Sequence, residues 1–229
     1  KVFISGSFLS PDGGPDVCYL SDDELEMIIR TAHELNRPVT AHVYPCEMMR
    51  KLLKFGIDGM EHGALMDEET AELFEKKNTY LVPTFSPFQD IIEENEEFVA
   101  KNTEDAQRKL RKYAPILRKS REVIKNSKIR LGFGSDFCAV HQPYESCYEY
   151  RSWLRSGMDP FRTLKAATSV NAEILGIDHL TGTIEKGKMA DIAGWSRDLL
   201  TDPEALFQCD FVMKEGVQYP TDSKVVDCL

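Results

Sequence analysis

What the chain lacks narrows it first. No stretch approaches the ~20 consecutive apolar residues that a membrane-crossing helix needs. An excess of positive charge is also missing: 28 Lys and Arg stand against 38 Asp and Glu, a formal net charge of −10. Phosphate binding draws on a basic surface, so neither nucleic acid nor membrane is expected as a partner. No Cys-x-x-Cys pair occurs among the six cysteines, Cys18, Cys46, Cys138, Cys147, Cys209 and Cys228. Their scatter argues against a zinc knuckle or a dense disulfide framework. It reads instead as free thiols of a reducing compartment, which favours the cytoplasm. No secretory signal is visible at the start. The five histidines, His33, His42, His62, His141 and His179, include no His-x-His pair.

What is present is an alternation of strand and helix. A length of 229 residues suits one to two domains. Val2-Phe3-Ile4 follows Lys1 as a short apolar strand running to Ser5, and a Gly/Pro/Asp-rich loop follows it. Ser21-Asp22-Asp23-Glu24 is a capping box. The helix it opens repeats Leu25, Ile28, Ile29, Ala32 and Leu35 at helical spacing. Val39-Thr40-Ala41-His42 is the next strand. A helix over Glu47–Phe55 closes at Gly56, a strand covers Ile57–Glu61, and a helix begins at Asp67. Thr79–Phe85 is β-rich. Strands separated by helices signal βα units and a parallel sheet.

Residues 89–127 break this rhythm with an acidic segment and then a basic one containing Arg108, Lys109, Arg111, Lys112, Arg118, Lys119 and Arg121. They read as one or two amphipathic helices, kinked at Pro115, with the basic run a solvated face balanced by its acidic neighbours. After Gly176 the pattern changes to short antiparallel strands at Asp191–Trp195, Phe211–Lys214 and Val217–Tyr219. Glu215-Gly216 is placed as a hairpin turn between the last two.

The candidate chemistry lies at strand ends. His42 ends one strand, His62 in Glu61-His62-Gly63 ends the next, and Asp136 in Gly132-Phe133-Gly134-Ser135-Asp136 ends a later one. Their spacing fits βα units of ~30 residues, and parallel barrels build their sites at the carboxyl ends of strands. Imidazole and carboxylate are good ligands for zinc and similar ions. Any one of these residues alone would read as a structural histidine or a helix cap; the joint pattern points to a metal site.

The chain resembles the metal-dependent amidohydrolase superfamily, in its imidazolonepropionase-like branch with the Xaa-Pro dipeptidases (prolidases). The segments that carry the likeness are Lys1-Val2 with Leu9-Ser10-Pro11, Thr40-Ala41-His42-Val43-Tyr44, Glu61-His62-Gly63, Phe133-Gly134-Ser135-Asp136, Ala166-Ala167-Thr168 with Asn171-Ala172, and Gly182–Asp191. The resemblance implies an α/β fold: a (β/α)8 TIM-like barrel whose strands four to eight are present in residues 1–180, and part of a composite β-sandwich in residues 181–229.

It further implies two divalent metal ions, zinc favoured. Lys1 would be carboxylated to bridge them, His42 and His62 would hold the second, and Asp136 would be ligand and general base. A metal-activated hydroxide would then attack an amide or peptide bond of a small substrate, an Xaa-Pro or carboxypeptidase-like dipeptide being the leading case. A cyclic amide or an N-acyl amino acid is the alternative substrate, and a non-catalytic scaffold of the same fold is the rival of another class. The family's first-strand His-x-His has no counterpart here. The chain therefore reads as the C-terminal part of a longer protein, holding an incomplete site on its own and needing the N-terminal part to complete the barrel. A homo-oligomer is expected. Tyr44 and His141 are placed as substrate contacts. Arg151 and Arg155 are expected in helix-surface ion pairs, and His33 and His179 in structural roles.

Overall fold

Five strands lie side by side in sequence order: β1 (Val2–Phe3), β2 (Thr40–Pro45), β3 (Gly59–Leu65), β4 (Tyr80–Val82) and β5 (Arg130–Leu131). Every neighbouring pair is parallel. The structure is a computed structural model and describes residues 1–9, 13–136 and 147–221. Parallel neighbours require crossovers, and helices supply them. α1 (Asp22–Glu34), α2 (Cys46–Phe55) and α3 (Glu68–Lys77) connect the first four strands. The link from β4 to β5 is longer, through α4 (Gln89–Ile92), α5 (Glu96–Ala100) and the 23-residue α6 (Glu104–Asn126).

Local chemistry sets these boundaries. The Ser21 hydroxyl accepts from the Glu24 amide (3.3 Å), and the Glu24 carboxylate accepts from the Ser21 amide (2.8 Å), which closes the capping box of α1. Asp67 caps α3 through the Thr70 amide at 2.8 Å. Gly56 ends α2 in the left-handed region at φ 84°. The ladder is shorter than the apolar runs suggest, but strand geometry persists beyond it, since the Ile4 amide still donates to the His42 carbonyl at 3.3 Å.

Period-two alternation divides the sheet faces. Ala41, Val43, Met60, Leu81 and Leu131 join Leu25, Ile29, Met49, Leu52 and Phe74 in one buried cluster between sheet and helices. Thr40, His42 and Tyr44 take the opposite face of β2. At that sheet's upper end Phe8, Tyr44, Phe88, Leu110, Tyr113 and Leu117 form a second cluster under α6.

Two expectations need correction. Residues 89–127 form three α-helices rather than one or two, and the longest, α6, carries Pro115 in its interior. The basic run is solvated and ion-paired, Arg108 with Asp105, Arg111 with Glu96, Arg118 with Glu94 and Lys119 with Glu68, but Arg121 leaves it, only 7% exposed. Arg121 faces inward because α6 winds its side chain toward the end of β4, where backbone and side-chain acceptors receive it. The five parallel strands agree in number with the expected strands four to eight, and among the described residues they form an open sheet edged by β1 and β5. A closed barrel of this class takes eight strands, which five do not complete.

Beyond β5 come α7 (Tyr148–Arg155), α8 (Pro160–Lys165) and α9 (Asn171–Ile174), then an antiparallel sheet of β6 (Ile192–Gly194), β7 (Phe211–Lys214) and β8 (Val217–Tyr219). Glu215 and Gly216 both have positive φ, 51° and 81°, as the hairpin turn joining β7 and β8 requires.

One irregularity matters for all that follows. Val43 pairs with His62 but Pro45 with Leu65, so β3 holds one extra residue at this point. His62 (φ 70°) and Gly63 (φ 53°) absorb it. A Cβ on Gly63 would lie 2.8 Å from Leu81 Cδ1, whereas one on Gly56 would meet open space. Gly56→Ala should therefore cost only the left-handed penalty, ~1 kcal/mol, and Gly63→Ala a further 1–3 kcal/mol or so from overpacking. Urea titrations of the two variants measure the difference; equal midpoints would contradict this account of the bulge.

Candidate functional site

The bulge decides where His62 goes. In a regular parallel ladder His62 would share the face of its partner Val43, which packs against the helices. The extra residue and the positive φ turn it across the sheet instead. Its ring lies 4.6 Å from that of His42 between centroids, at 76°, and 5.2 Å from that of Tyr44. Adjacent strands thereby deliver two imidazoles to one spot, from within β2 and β3 rather than from the strand ends expected of them. His42 is 7% exposed and His62 2%.

The surroundings hold both rings in place. Phe3 of β1, the register partner of His42, stacks on it at 3.9 Å and 19°. Tyr44 stands edge-on to His42 at 4.6 Å and packs on Phe8 and Phe88. The Thr84 hydroxyl lies 2.6 Å from His62 Nδ1. Lys1 pairs with Glu61 at 3.1 Å, and the other Glu61 oxygen accepts from the Thr40 hydroxyl at 2.8 Å. Asp136 follows β5 at φ 47° and is exposed. The strand end that carries it is fixed by Asn171, whose side chain accepts from the Phe133 amide (2.9 Å) and donates to the Phe133 carbonyl (2.8 Å).

Electrostatics follow from this packing. Burial drives both histidines far below their ordinary value of 6.5, His42 to about 4 and His62 to about 3. The Lys1 ammonium lowers both further, and His42 also lowers His62. The Asp136 carboxylate and a backbone hydrogen bond at Ser5 pull His42 the other way. Lys1, His42, His62 and Asp136 are therefore electrostatic neighbours, with both imidazoles neutral at pH 7.

Neutral imidazole is the metal-ligating form. His42 Nε2 is buried with no hydrogen-bond partner, a state that normally costs ~1–3 kcal/mol and that a cation would relieve. Thr84 on Nδ1 of His62 is the kind of outer contact that orients a ligating ring. The donors thus fit a divalent ion in kind. They fall short in number: among the described residues no three His, Cys, Asp or Glu side chains converge closely enough to hold a metal.

Of the other expected residues, His141 lies outside the described residues. His33 pairs with Asp58 at 2.9 Å, far down the sheet, and Arg151 and Arg155 pair with Glu204 and Glu93 on the helix surface. Sequence reasoning passed over Phe3, Thr84 and Glu149 as site-building residues. Glu149 is 4% exposed, and burial raises its carboxyl despite hydrogen bonds from the Ser86 and Phe85 amides.

A family model described as "Amidohydrolase family" matches residues 15–219. The sequence is 29% identical over 203 residues to ochratoxinase of Aspergillus niger, covering 88% of this chain and 41% of that one. The solved structure of the A. niger ochratoxinase aligns with TM-score 0.79 at 28% identity, over 97% of this chain and 51% of that chain. An Xaa-Pro dipeptidase solved with methionine in its active site aligns with TM-score 0.80 at 26% identity, over 95% and 53%. The chain thus spans about half the length of the proteins it matches, or less.

The depressed histidines make acid stability testable in the metal-free protein. Because their folded pKa values lie below 6.5, the unfolded chain binds more protons between about 6.5 and about 4. Their contribution to stability is complete above that window and is lost as pH falls through it. Between pH 7.5 and 4.5 each should cost on the order of 1–3 kcal/mol. Denaturant titrations at the two pH values should show a smaller loss in His42→Gln than in the wild type; an equal loss would mean that His42 is not held neutral by the fold.

Proposed function

Because this chain belongs to the amidohydrolase family, we propose that the protein carrying it is a metal-dependent hydrolase that cleaves an amide or peptide bond of a small substrate, a dipeptide ending in proline being the leading case. One observation carries the reading: two neutral, buried imidazoles from adjacent parallel strands meet in one place, one with an unpartnered Nε2, beside Lys1 and Asp136. The Xaa-Pro dipeptidase among the structural neighbours supports the choice of substrate class. The five parallel strands are read as strands four to eight of a barrel, the arc from which such a site is built.

In this reading His42, His62, Asp136 and a carboxylated Lys1 hold two divalent ions, zinc favoured, together with ligands from elsewhere in the protein. The ions would polarise the scissile carbonyl and make water available as hydroxide near neutrality. The residues of this chain do the rest. Asp136, exposed at the end of β5, accepts the proton of the attacking water and returns it to the leaving nitrogen. The wall formed by Phe3, Tyr44 and Phe88 shields the histidine pair from bulk water on one side. Tyr44 and His141 are assigned as substrate contacts in this reading.

Hydrolysis of a panel of Xaa-Pro dipeptides by the intact protein, before and after chelation, tests the proposal. Asp136→Asn should lower kcat roughly 10²–10⁴-fold, the usual worth of a general acid–base group, with folding unchanged. Chelation should abolish turnover and added zinc restore it. Amide hydrolysis that survives complete metal removal, or an Asp136→Asn variant as fast as the wild type, would overturn the reading.

A further inference from the structure

Among the described residues a buried carboxylate stands behind the site without touching it. Glu149 of α7 accepts from the Phe85 amide (2.8 Å) and the Trp153 indole (2.6 Å) with one oxygen, and from the Ser86 amide (2.6 Å) with the other. Arg121 of α6 grips the same turn from its other side, donating to the Phe85 carbonyl and to Gln89 Oε1 and lying 4.8 Å over the Phe85 ring. Two buried opposite charges from two helices thus converge on residues 84–86.

That turn reaches the site at both ends. Thr84 is a β-branched residue at φ 45°, a conformation that costs ~1–3 kcal/mol and persists only where its surroundings impose it. Its hydroxyl lies 2.6 Å from His62 Nδ1. Ser86 donates its hydroxyl to the Ser135 carbonyl at 3.0 Å, immediately before Asp136. We propose that Glu149 is a positioning residue: by fixing the backbone of residues 84–86 it sets the His62 ring through Thr84 and the Asp136 backbone through Ser86. A carboxylate suits this task because the Phe85 and Ser86 amides and the Trp153 indole need only acceptors, and no side-chain group other than the carboxylate of Asp or Glu offers two oxygens without a donor. The inference rests on the reading of His62 and Asp136 as site residues.

The test uses the intact protein, with Glu149→Gln as the first variant. The amide keeps the shape but turns one acceptor into a donor facing an N–H. It should lower kcat roughly 10–100-fold, the scale set by sub-ångström to ångström misplacement, with KM within about twofold. In the metal-free protein it should shift the ¹⁵N signals of the His62 imidazole. Thr84→Val should give the same signal shift and Thr84→Ser should restore the wild-type spectrum. The double variant Glu149→Gln/Thr84→Val should be no worse than the poorer single one, because the two act in one chain. Independent, multiplying effects, or an unmoved His62 signal in Glu149→Gln, would overturn the proposal. Ser86→Ala leaves Glu149 in place and carries the test if Glu149→Gln does not fold. It should lower kcat while the His62 signal stays put, and wild-type kcat in that variant would count against Glu149 acting through Ser86. If the wild type cleaves no amide, the hydrolase reading fails by itself, and the imidazole signals still decide whether Glu149 positions His62.

Discussion

A one-residue slip between β2 and β3 is the constraint on which the site depends. Without it, strict alternation would send His62 to the helix side with Val43, into a cluster of Met, Leu and Ile side chains. With it, two histidines on adjacent strands share one face and one desolvated space. Their neutrality follows from that placement: desolvation is the largest cause for both, and the proximity of each charged form to Lys1 adds to it. Geometry and protonation state therefore have a single origin in the backbone.

The strain is collected at the bulge of β3 and just beyond β4 and β5. His62, Thr84 and Asp136 all sit at positive φ without being glycine, and each of these places is tied by a contact from outside its own strand. Thr84 meets His62 and is itself held by the turn that Glu149 and Arg121 fix. The end of β5 is tied twice, by the Asn171 side chain acting as a substitute strand neighbour and by Ser86. Loops after parallel strands are where functional groups gather, but a loop alone would not hold three left-handed residues. Buried polar contacts make that possible, above all the three hydrogen bonds that Glu149 accepts on its two oxygens.

Much of this was legible in the sequence, and the parts that were not share a cause. Strand–helix alternation, the Ser21 capping box and the Glu215-Gly216 hairpin are local patterns, and they reappear as α1 and the β7–β8 turn. His42 and His62 could be placed on adjacent strands because apolar runs precede them, but not at strand ends, since β2 continues to Pro45 and β3 to Leu65. The bulge could not be foreseen, since it lies in backbone angles and Gly63 is its only compositional trace. Glu149 and Arg121 sit on helices whose other charges are solvated, so period and composition assign them to the surface. Only the crossing of α6 and α7 over the end of β4 reveals that both face inward. Thr84 was absorbed into an expected strand over 79–85, whereas the ladder stops at Val82.

The pairing of Lys1 with Glu61 bears on how such a site acquires a cation. As an ammonium, Lys1 helps keep both imidazoles neutral by repelling their protons, and it repels a metal ion for the same reason. As a carbamate it would carry the opposite charge at the same place, a swing of two units beside two neutral nitrogen ligands. Its attraction to Glu61 at 3.1 Å would become repulsion, so the carboxylated side chain would turn away from Glu61 and toward the cation. Glu61 would retain its bond from the Thr40 hydroxyl and remain in place. In the proposed reading, one covalent change at Lys1 would reverse the local field from one that repels a divalent ion to one that attracts it, while His42 and His62, fixed by Phe3 and Thr84, need not move.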